Sequence, residues 1–277
     1  MGLCDTIKAM LHALLRARLL TLLLLLLIAV PAFGRKHETG FLNRAVVIGG
    51  QDYRYEVFVP EKFDRHKKWP VILFLHGVGE RGDDGVLETD VGIAHAIRHN
   101  AANFPFIVVM PQCRKDSHWI HSNMQAQALD ALEKSVKEFN GDRSRIYLTG
   151  LSMGGYGTWD MAAKYPGKFA AYVPICGGIH GPPGHPDVSV GLAQDPQVTD
   201  PYAETARRIG STPIWIFHGG ADPTVPVEES RKMAEALQVA KATVRYTEYP
   251  GVGHNSWDKA YAEPDLVPWL LAQRRTR

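Results

Sequence analysis

The sequence predicts a mostly parallel, doubly wound α/β sheet in one domain that follows an N-terminal appendage. Short apolar runs alternate along the chain with segments of helical periodicity, and Gly or Pro residues separate them. Several runs are apolar throughout, which is typical of strands that helices cover on both faces. A chain of 277 residues is long enough for one such domain after the appendage.

The strands are predicted from these apolar runs. The first one alternates apolar and polar side chains and ends before Pro60, which is typical of a half-exposed strand. The others are more continuously apolar, as buried central strands are. In chain order the predicted strands are Arg54–Val59, Val71–Leu75, Phe106–Met110, Ile146–Thr149, Ala170–Ile175, Ile214–His218 and Thr243–Tyr249.

Helices are predicted between these strands and after the last one from apolar residues at a spacing of three and four. They are Gln125–Phe139, Gly154–Lys164, Tyr202–Ile209, Val227–Val239 and Leu266–Gln273. Residues 177–200 break the alternation with adjacent prolines, scattered glycines and two histidines. We expect this segment to be an insert that passes over the top of the sheet and shapes a substrate pocket.

The first 34 residues are predicted to be a secretory signal peptide. Arg16 and Arg18 precede the apolar run Leu19–Val30, and small residues precede a cut after Gly34. A twelve-residue run covers about 18 Å, whereas the hydrocarbon core of a bilayer is about 30 Å thick. An uncleaved signal anchor is the alternative. Either interpretation predicts export, and the membrane is a partner only if this segment is retained.

Composition limits the other partners. Lys and Arg number 31 and Asp and Glu 29, so the chain has no basic footprint for nucleic acid. An oxidising compartment permits a disulfide between Cys113 and Cys176. Two strands are expected between their positions, which separates them by about 14 Å, and a bridge requires about 7 Å or less. The pairing of these cysteines stays open at this point.

The main chemical signal is Gly150-Leu151-Ser152-Met153-Gly154-Gly155, a G-x-S-x-G motif. A predicted strand precedes it directly and a predicted helix follows it. This context is typical of the nucleophile elbow of an α/β-hydrolase fold, where a sharp turn exposes the serine and flanking glycines avoid collisions. Ser152 is therefore the candidate nucleophile.

A serine hydroxyl needs a base to take its proton and an acid to orient that base. In this fold they follow the serine in the order acid, then histidine. His254 lies after the last predicted strand and Asp222 after the penultimate one, so these two residues are the candidates. Asp200 and Asp258 are the alternatives for the acid.

An oxyanion also needs backbone N–H donors. The residue after the nucleophile, Met153, is the first candidate donor, and Val78 in the glycine-rich loop after Val71–Leu75 is the second. His76 is expected to brace this loop, and Glu80 and Arg81 could pair within it. Candidates for the substrate pocket are Gly77, Gly79, Trp119 and Trp257, and simple packing is the alternative role of the two tryptophans.

Metal and cofactor sites are not expected. His118 and His121 form an H-x-x-H pair, but no further ligand pattern accompanies them, and His180 and His185 offer no better pattern. No G-x-G-x-x-G follows a predicted strand, and the proposed chemistry requires no cofactor.

Several segments together resemble a known family. "FLHGVGERGDD", "IYLTGLSMGGYGTWDMA", "PICGG", "FHGGADPTVPVEESRKM" and "YPGVGHNSWD" are similar to the predicted-peptidase and carboxylesterase branch of bacterial α/β-hydrolases. That branch is akin to dienelactone hydrolases, feruloyl esterases and the phospholipase/carboxylesterase group. The resemblance covers roughly residues 50–275 and implies the same triad and oxyanion loop. The 177–200 insert matches no family pattern.

These observations predict a serine hydrolase that cleaves a small-molecule or polysaccharide-linked carboxylic ester through an acyl-enzyme. Esters are favoured over amides because an alcohol leaves more readily than an amine. A secreted serine peptidase is the alternative within enzymes. A non-catalytic binding module on the same scaffold is the alternative of another class.

Overall fold

The computed structural model describes residues 38–275 and, before them, only Gly2, Cys4, Ile7, Met10 and His12. The chain divides into two compact units, Met1–Glu38 and Thr39–Arg277. The apolar run and the cleavage site of the predicted signal peptide therefore lie outside the described residues. Within the described part, none of the helices combines the length and hydropathy that a membrane span requires.

The described residues of the second unit contain one sheet of eight strands. In chain order these strands are β1 (Gly40–Ile48), β2 (Gln51–Val59), β3 (Trp69–Leu75), β4 (Ile107–Pro111), β5 (Gly141–Leu151), β6 (Ala171–Ile175), β7 (Ile214–Gly219) and β8 (Val244–Tyr249). Their spatial order is β1-β2-β4-β3-β5-β6-β7-β8. The pairs β1–β2 and β2–β4 are antiparallel, and all the other pairs are parallel. This confirms the predicted mostly parallel sheet.

Helices cover both faces of this sheet. They are α1 (Ile93–Asn100), α2 (Ser122–Glu138), α3 (Met153–Lys164), α4 (Gly191–Gln194), α5 (Pro201–Ile209), α6 (Glu228–Val239), α7 (Trp257–Tyr261) and α8 (Leu266–Ala272). One hydrophobic core contains buried side chains of α2, α3, α5 and α6. A second core, on the opposite face, contains those of α1, α7 and α8. The doubly wound arrangement predicted from the alternation is therefore present.

The N-terminal hairpin differs from the expectation. Sequence patterning did not predict β1, which lies at the edge of the sheet and has only Val46 buried. A tight turn with positive φ at Gly49 and Gly50 (57° and 79°) joins β1 to β2. β2 was predicted to be half exposed, but all its side chains from Tyr55 to Val59 are buried. Its two faces pack into the two cores, Tyr55, Val57 and Val59 into the first and Phe58 into the second.

The insert at residues 177–200 is tied to the helices beside it. Oε2 of Glu229, in α6, accepts hydrogen bonds from the backbone N–H groups of Ile179 (2.8 Å) and His180 (2.9 Å). Oδ1 of Asp160, in α3, accepts one from the N–H of Gly191 at 2.7 Å. Two carboxylates that are themselves buried thus hold the segment near its start and near its middle.

The cysteines of the second unit are not bridged. Cys113 follows β4 and Cys176 follows β6, and the strands β3 and β5 lie between them in the sheet. Both side chains are buried and both thiols are free. The disulfide that the sequence left open is therefore not formed.

Candidate active site

Ser152 lies at the sharp turn between β5 and α3. Its φ of 52° and ψ of −118° are strained for a residue with a side chain. The Ser152 N–H donates to the carbonyl of Ile175 at 3.0 Å, and the Ser152 carbonyl accepts from the N–H of Gly155 at 2.8 Å. These two bonds hold the turn from both sides and leave the serine partly exposed.

The glycines of the G-x-S-x-G-G motif are required by close backbone contacts. A Cβ atom added to Gly150 would lie 2.2 Å from the Gly154 carbonyl oxygen. One added to Gly154 would lie 1.9 Å from the carbonyl oxygen of Leu75. One added to Gly155 would lie 2.7 Å from the carbonyl oxygen of Ile175. The helix can approach β3 and β6 this closely only because these positions lack side chains.

The structure brings the three triad candidates together. Nε2 of His254 lies 2.9 Å from Oγ of Ser152, and Nδ1 of His254 lies 2.7 Å from Oδ2 of Asp222. Because a carboxylate only accepts hydrogen bonds, Nδ1 carries the proton toward Asp222, and Nε2 then accepts one from Ser152. The serine, imidazole and carboxylate form one continuous chain of hydrogen bonds.

The Asp222 side chain is fully buried, with 0% exposure. Burial by itself raises the pKa of this carboxyl. Hydrogen bonds from His218, His254, Val225 and Thr224 outweigh it and hold the pKa well below its usual range. Oδ1 accepts the backbone N–H groups of Thr224 at 2.8 Å and Val225 at 3.0 Å. The carboxylate therefore stays charged near neutral pH.

The alternative acids have other partners. Asp200 accepts the N–H of Ala203 at 3.0 Å and so caps the first turn of α5. Asp258 accepts the side-chain amide of Asn255 at 2.8 Å and is exposed. Neither of these carboxylates contacts His254 in the described structure, so Asp222 has the position that a triad acid needs.

The loop after β3 borders the serine. A Cβ atom added to Gly77 would lie 3.8 Å from the Cβ of Ser152, so this backbone passes directly beside the nucleophile. Val78 begins a 3₁₀ turn there, and its side chain is half exposed. Met153 is the first residue of α3, so its N–H has no partner within the helix. Both oxyanion candidates are thus at the edge of the serine turn.

His76 and Trp119 are buried side chains that hold this loop in place. The Trp119 indole donates to the His76 carbonyl at 3.0 Å, and Nε2 of His76 accepts the Cys113 N–H at 2.9 Å. Burial lowers the pKa of His76 to about 4, so its ring is neutral and Nδ1 donates to the Gly77 carbonyl at 2.6 Å. Trp119 has 0% exposure, which corrects its assignment to the substrate pocket.

The other pocket candidates lie at the surface of the site. The Trp257 ring packs edge-on against His254, with 5.4 Å between ring centroids, and is partly buried. Gly79 is exposed and has open space at its Cβ position. Arg81 does not pair with Glu80. It donates to the backbone carbonyls of Val78 and Ser117, both at 3.2 Å, which stiffens the loop.

One group of potential metal ligands occurs among the described residues, and it consists of Cys176, Asp222 and His254. Burial raises the pKa of the Cys176 thiol to about 12, so it keeps its proton near neutral pH and is a poor ligand. Asp222 and His254 already bond to each other. The H-x-x-H pair is not part of any such group, and its His121 ring contacts the Ser117 hydroxyl at 2.9 Å.

A large groove of the described surface lies elsewhere. It has a volume of about 730 Å³, and α1 forms one wall while α7 and the start of α8 form the other. His95, His99, Asp258 and Glu263 contribute its polar groups. The triad residues are not part of its lining, so the groove does not define the acyl pocket.

Two residues that contact this site have no predicted part in its chemistry. His218 ends the predicted strand that precedes the Asp222 loop, and its Nε2 lies 3.3 Å from Oδ2 of Asp222. Cys176 follows β6 with a positive φ of 38°, and its sulfur lies within 4.8 Å of ligand atoms of Asp222 and His254. The spacing of four between His218 and Asp222 was visible in the sequence, but the inward direction of the ring was not.

Comparison with known proteins gives consistent matches. A family model described as "Dienelactone hydrolase family" matches residues 95–263. The crystal structure of a thermostable esterase superposes with a TM-score of 0.69 at 33% identity and covers 85% of this chain. A secreted protein of Arthroderma benhamiae is 27% identical over 210 residues, 69% of this chain. A bifunctional acetylxylan esterase/xylanase of Neocallimastix patriciarum is 30% identical over 122 residues, 39% of this chain.

The matches cover only part of these proteins. The aligned segments span 22% of the Arthroderma protein, 16% of the Neocallimastix enzyme and 63% of the thermostable esterase. The similarity therefore concerns the hydrolase domain and not the complete relatives.

Proposed function

Because the chain belongs to the dienelactone hydrolase family of α/β-hydrolases, we propose that it is a serine hydrolase that cleaves carboxylic esters through an acyl-enzyme. The observation that carries this proposal is the hydrogen-bond chain from Ser152 through His254 to Asp222, with distances of 2.9 and 2.7 Å. These distances suit a nucleophile, a general base and an orienting acid.

The proposed reaction begins when Oγ of Ser152 attacks the ester carbonyl carbon and its proton moves to Nε2 of His254. Asp222 stabilises the imidazolium that forms, because its carboxylate is charged and hydrogen-bonded to Nδ1. The tetrahedral intermediate collapses, and His254 gives the proton to the departing alcohol. Water activated by the neutral His254 then attacks the acyl-enzyme, which releases the acid and restores Ser152.

The oxyanion is proposed to bind the backbone N–H groups of Met153 and Val78. The position of Met153 at the N-terminus of α3 supports this, because a free N–H and the helix dipole both favour negative charge there. The close approach of Gly77 to Ser152 supports a donor from the neighbouring Val78. His76 and Trp119 hold that loop in place from the core.

The proposed substrate is a small-molecule or polysaccharide-linked ester. The similarity to an enzyme described as an acetylxylan esterase/xylanase supports an acyl group carried on a polysaccharide. The thermostable esterase, at 33% identity, supports ester cleavage in general. No cofactor is part of this mechanism, since the serine, the histidine and the backbone donors supply the nucleophile, the base and the charge stabilisation.

Export is proposed from the N-terminal segment, and the similarity to a secreted fungal protein supports it. Cleavage after Gly34 predicts a mature chain that begins at Arg35. N-terminal sequencing of protein recovered from the periplasm or the medium tests this. A full-length chain found in the membrane fraction would instead support an uncleaved anchor.

The activity is tested by turnover of p-nitrophenyl acetate and butyrate beside peptide p-nitroanilides. We expect the wild type to cleave the esters and Ser152→Ala to lose at least about a thousandfold in kcat. Ser211→Ala, at an exposed serine after α5, is the matched control and should retain full activity. Preferential cleavage of the peptides would support a peptidase, and ester turnover that survives in Ser152→Ala would contradict the proposed mechanism.

A further inference from the structure

His218 is a second histidine beside the proposed triad acid. It lies near the end of β7 and its side chain has 0% exposure. Nδ1 contacts the hydroxyl of Ser230, in α6, at 2.7 Å. Nε2 lies 3.0 Å from the Val225 carbonyl oxygen and 3.3 Å from Oδ2 of Asp222. The ring therefore spans the space between α6 and the loop that carries the acid.

The direction of the hydrogen bond at Nε2 follows from its neighbours. A carbonyl oxygen and a carboxylate oxygen face this nitrogen, and both can only accept. Nε2 must therefore carry a hydrogen, whether the imidazole is neutral or charged. That single N–H donates to the Val225 carbonyl at 3.0 Å, and Oδ2 of Asp222, 3.3 Å from the same nitrogen, is its second, less well aligned neighbour. The Ser230 hydroxyl serves Nδ1 in either protonation state, because it can donate or accept.

The two oxygens of Asp222 are held by different parts of the molecule. Backbone N–H groups of Thr224 and Val225, from its own loop, donate to Oδ1. Oδ2 faces the histidines, His254 at 2.7 Å and His218 at 3.3 Å. His218 is the one of these four groups that belongs to a strand of the sheet, so it links the carboxylate to the rigid scaffold.

We propose that His218 is a positioning residue of the hydrolase: its Nε2–H holds Oδ2 of Asp222 in the orientation that directs the second lone pair at Nδ1 of His254. This inference rests on the proposed function, because it concerns how the acid of that triad is oriented. An acid that rotates away from the imidazole leaves His254 free to adopt the wrong tautomer, and the base then fails. His218 does not touch the substrate and acts only through Asp222.

A simpler role for His218 is to support the packing of β7 against α6 through Ser230, without acting on Asp222. The two roles differ in what a substitution does once Asp222 is absent. A packing role should cost the same factor in activity whether or not residue 222 is an aspartate. A residue that acts through Asp222 should cost nothing further in its absence, because coupled residues are not additive.

The kinetic test uses the full chain with His218→Leu, which removes the donor, and His218→Gln, whose amide can donate from the Nε2 position. We expect His218→Leu to lower kcat about ten- to hundredfold, the range of one hydrogen bond to a charged group, with KM changed less than roughly twofold. His218→Gln should recover most of this loss. In the Asp222→Ala background, His218→Leu should cause no further decrease. Phe217→Leu, a buried neighbour on β7, is the control for destabilisation without loss of kcat.

A spectroscopic test does not depend on turnover. The proton between Nδ1 of His254 and Asp222 is expected to give a far-downfield NMR resonance in the wild type, in His218→Gln and in Phe217→Leu, and to be lost in His218→Leu. Retention of this resonance together with wild-type kcat in His218→Leu would overturn the inference. A decrease in kcat of equal size in the Asp222→Ala background would do the same. Failure of the proposed function is distinct, since the wild type would then hydrolyse no ester while the resonance test remained decisive.

Discussion

Burial strongly changes the ionisation of the Glu88 carboxyl. The side chain lies in the short turn before α1 and has 0% exposure. Burial raises the pKa of its carboxyl to about 8, and the nearby carboxylates of Glu56, Asp84 and Asp90 contribute in the same direction. The native state therefore keeps a proton on Glu88 at pH values where the unfolded chain has lost it.

This difference makes stability depend on pH. Between pH 4.5, the ordinary value, and about pH 8 the native state binds more protons than the unfolded state, so the free energy of unfolding falls as pH rises. We expect Glu88→Gln to remove about 3 kcal/mol of this fall. Urea unfolding at pH 5 and pH 8.5 measures it, with the exposed Glu61→Gln as control. Parallel pH profiles for the wild type and Glu88→Gln would contradict the expectation.

Gly154 is the position in the serine turn with the least room for a side chain. A Cβ atom there would lie 1.9 Å from the carbonyl oxygen of Leu75, whereas one at Gly79, in the neighbouring loop, would meet nothing within 4 Å. Gly154→Ala should lower the free energy of unfolding by about 2–3 kcal/mol or more and displace Ser152. Gly79→Ala should leave stability nearly unchanged. Thermal unfolding of both variants tests this. Equal stabilities would show that the close contact between residue 154 and the Leu75 carbonyl does not limit stability.

The site residues differ in how far the sequence could predict them. Ser152, Asp222 and His254 were predicted because a strand-turn-helix motif and the order of later loops are visible in the sequence, and the structure brings all three together. Trp119 was assigned to the pocket wrongly, since its burial depends on contacts between distant segments. His218 was missed for the same reason.

At the scale of elements, local patterning predicted the central strands and most helices because their apolar faces are continuous. The elements that were missed lack this signal. β1 is an edge strand whose side chains are mostly half exposed. The helices α1 and α7 are short, with buried side chains at only Ile93, Ala94 and Ile97 in the first and Ala260 and Tyr261 in the second. Tertiary contacts determine whether such segments form helices or strands more than intrinsic propensity does.

The residue Lys241, just after α6, has a strained backbone conformation that a substitution can relieve. Lys241 follows the helix with a φ of 57°, in the left-handed region that favours glycine, and its side chain is exposed. Lys241→Gly should therefore raise the free energy of unfolding by about 1 kcal/mol. Ala240→Gly, at the preceding right-handed position with φ of −72°, should instead lower it. Chemical denaturation distinguishes the two, and a loss of stability in Lys241→Gly would contradict this account of the helix end.

At the scale of the whole molecule, the two cores protect the thiols of the second unit. Burial raises the pKa of both Cys113 and Cys176 to about 12, and neither sulfur is exposed. Alkylation of the folded full-length chain, with its N-terminal segment retained, should label the exposed Cys4 and leave the other two unmodified. After unfolding without a reductant, all three should react. Peptide mass spectrometry measures this, and a need for reductant would reveal a disulfide that the structure does not contain.

The central claim is that the fold makes a nucleophile of Ser152. The most direct measurement is reaction of the full chain with a fluorophosphonate, followed by peptide mapping of the adduct. We expect one phosphonylated residue, Ser152. Labelling should be abolished in Ser152→Ala and strongly slowed in His254→Ala, because the serine hydroxyl is nucleophilic only when a base accepts its proton. An adduct on another residue, or equal labelling of the wild type and His254→Ala, would contradict it.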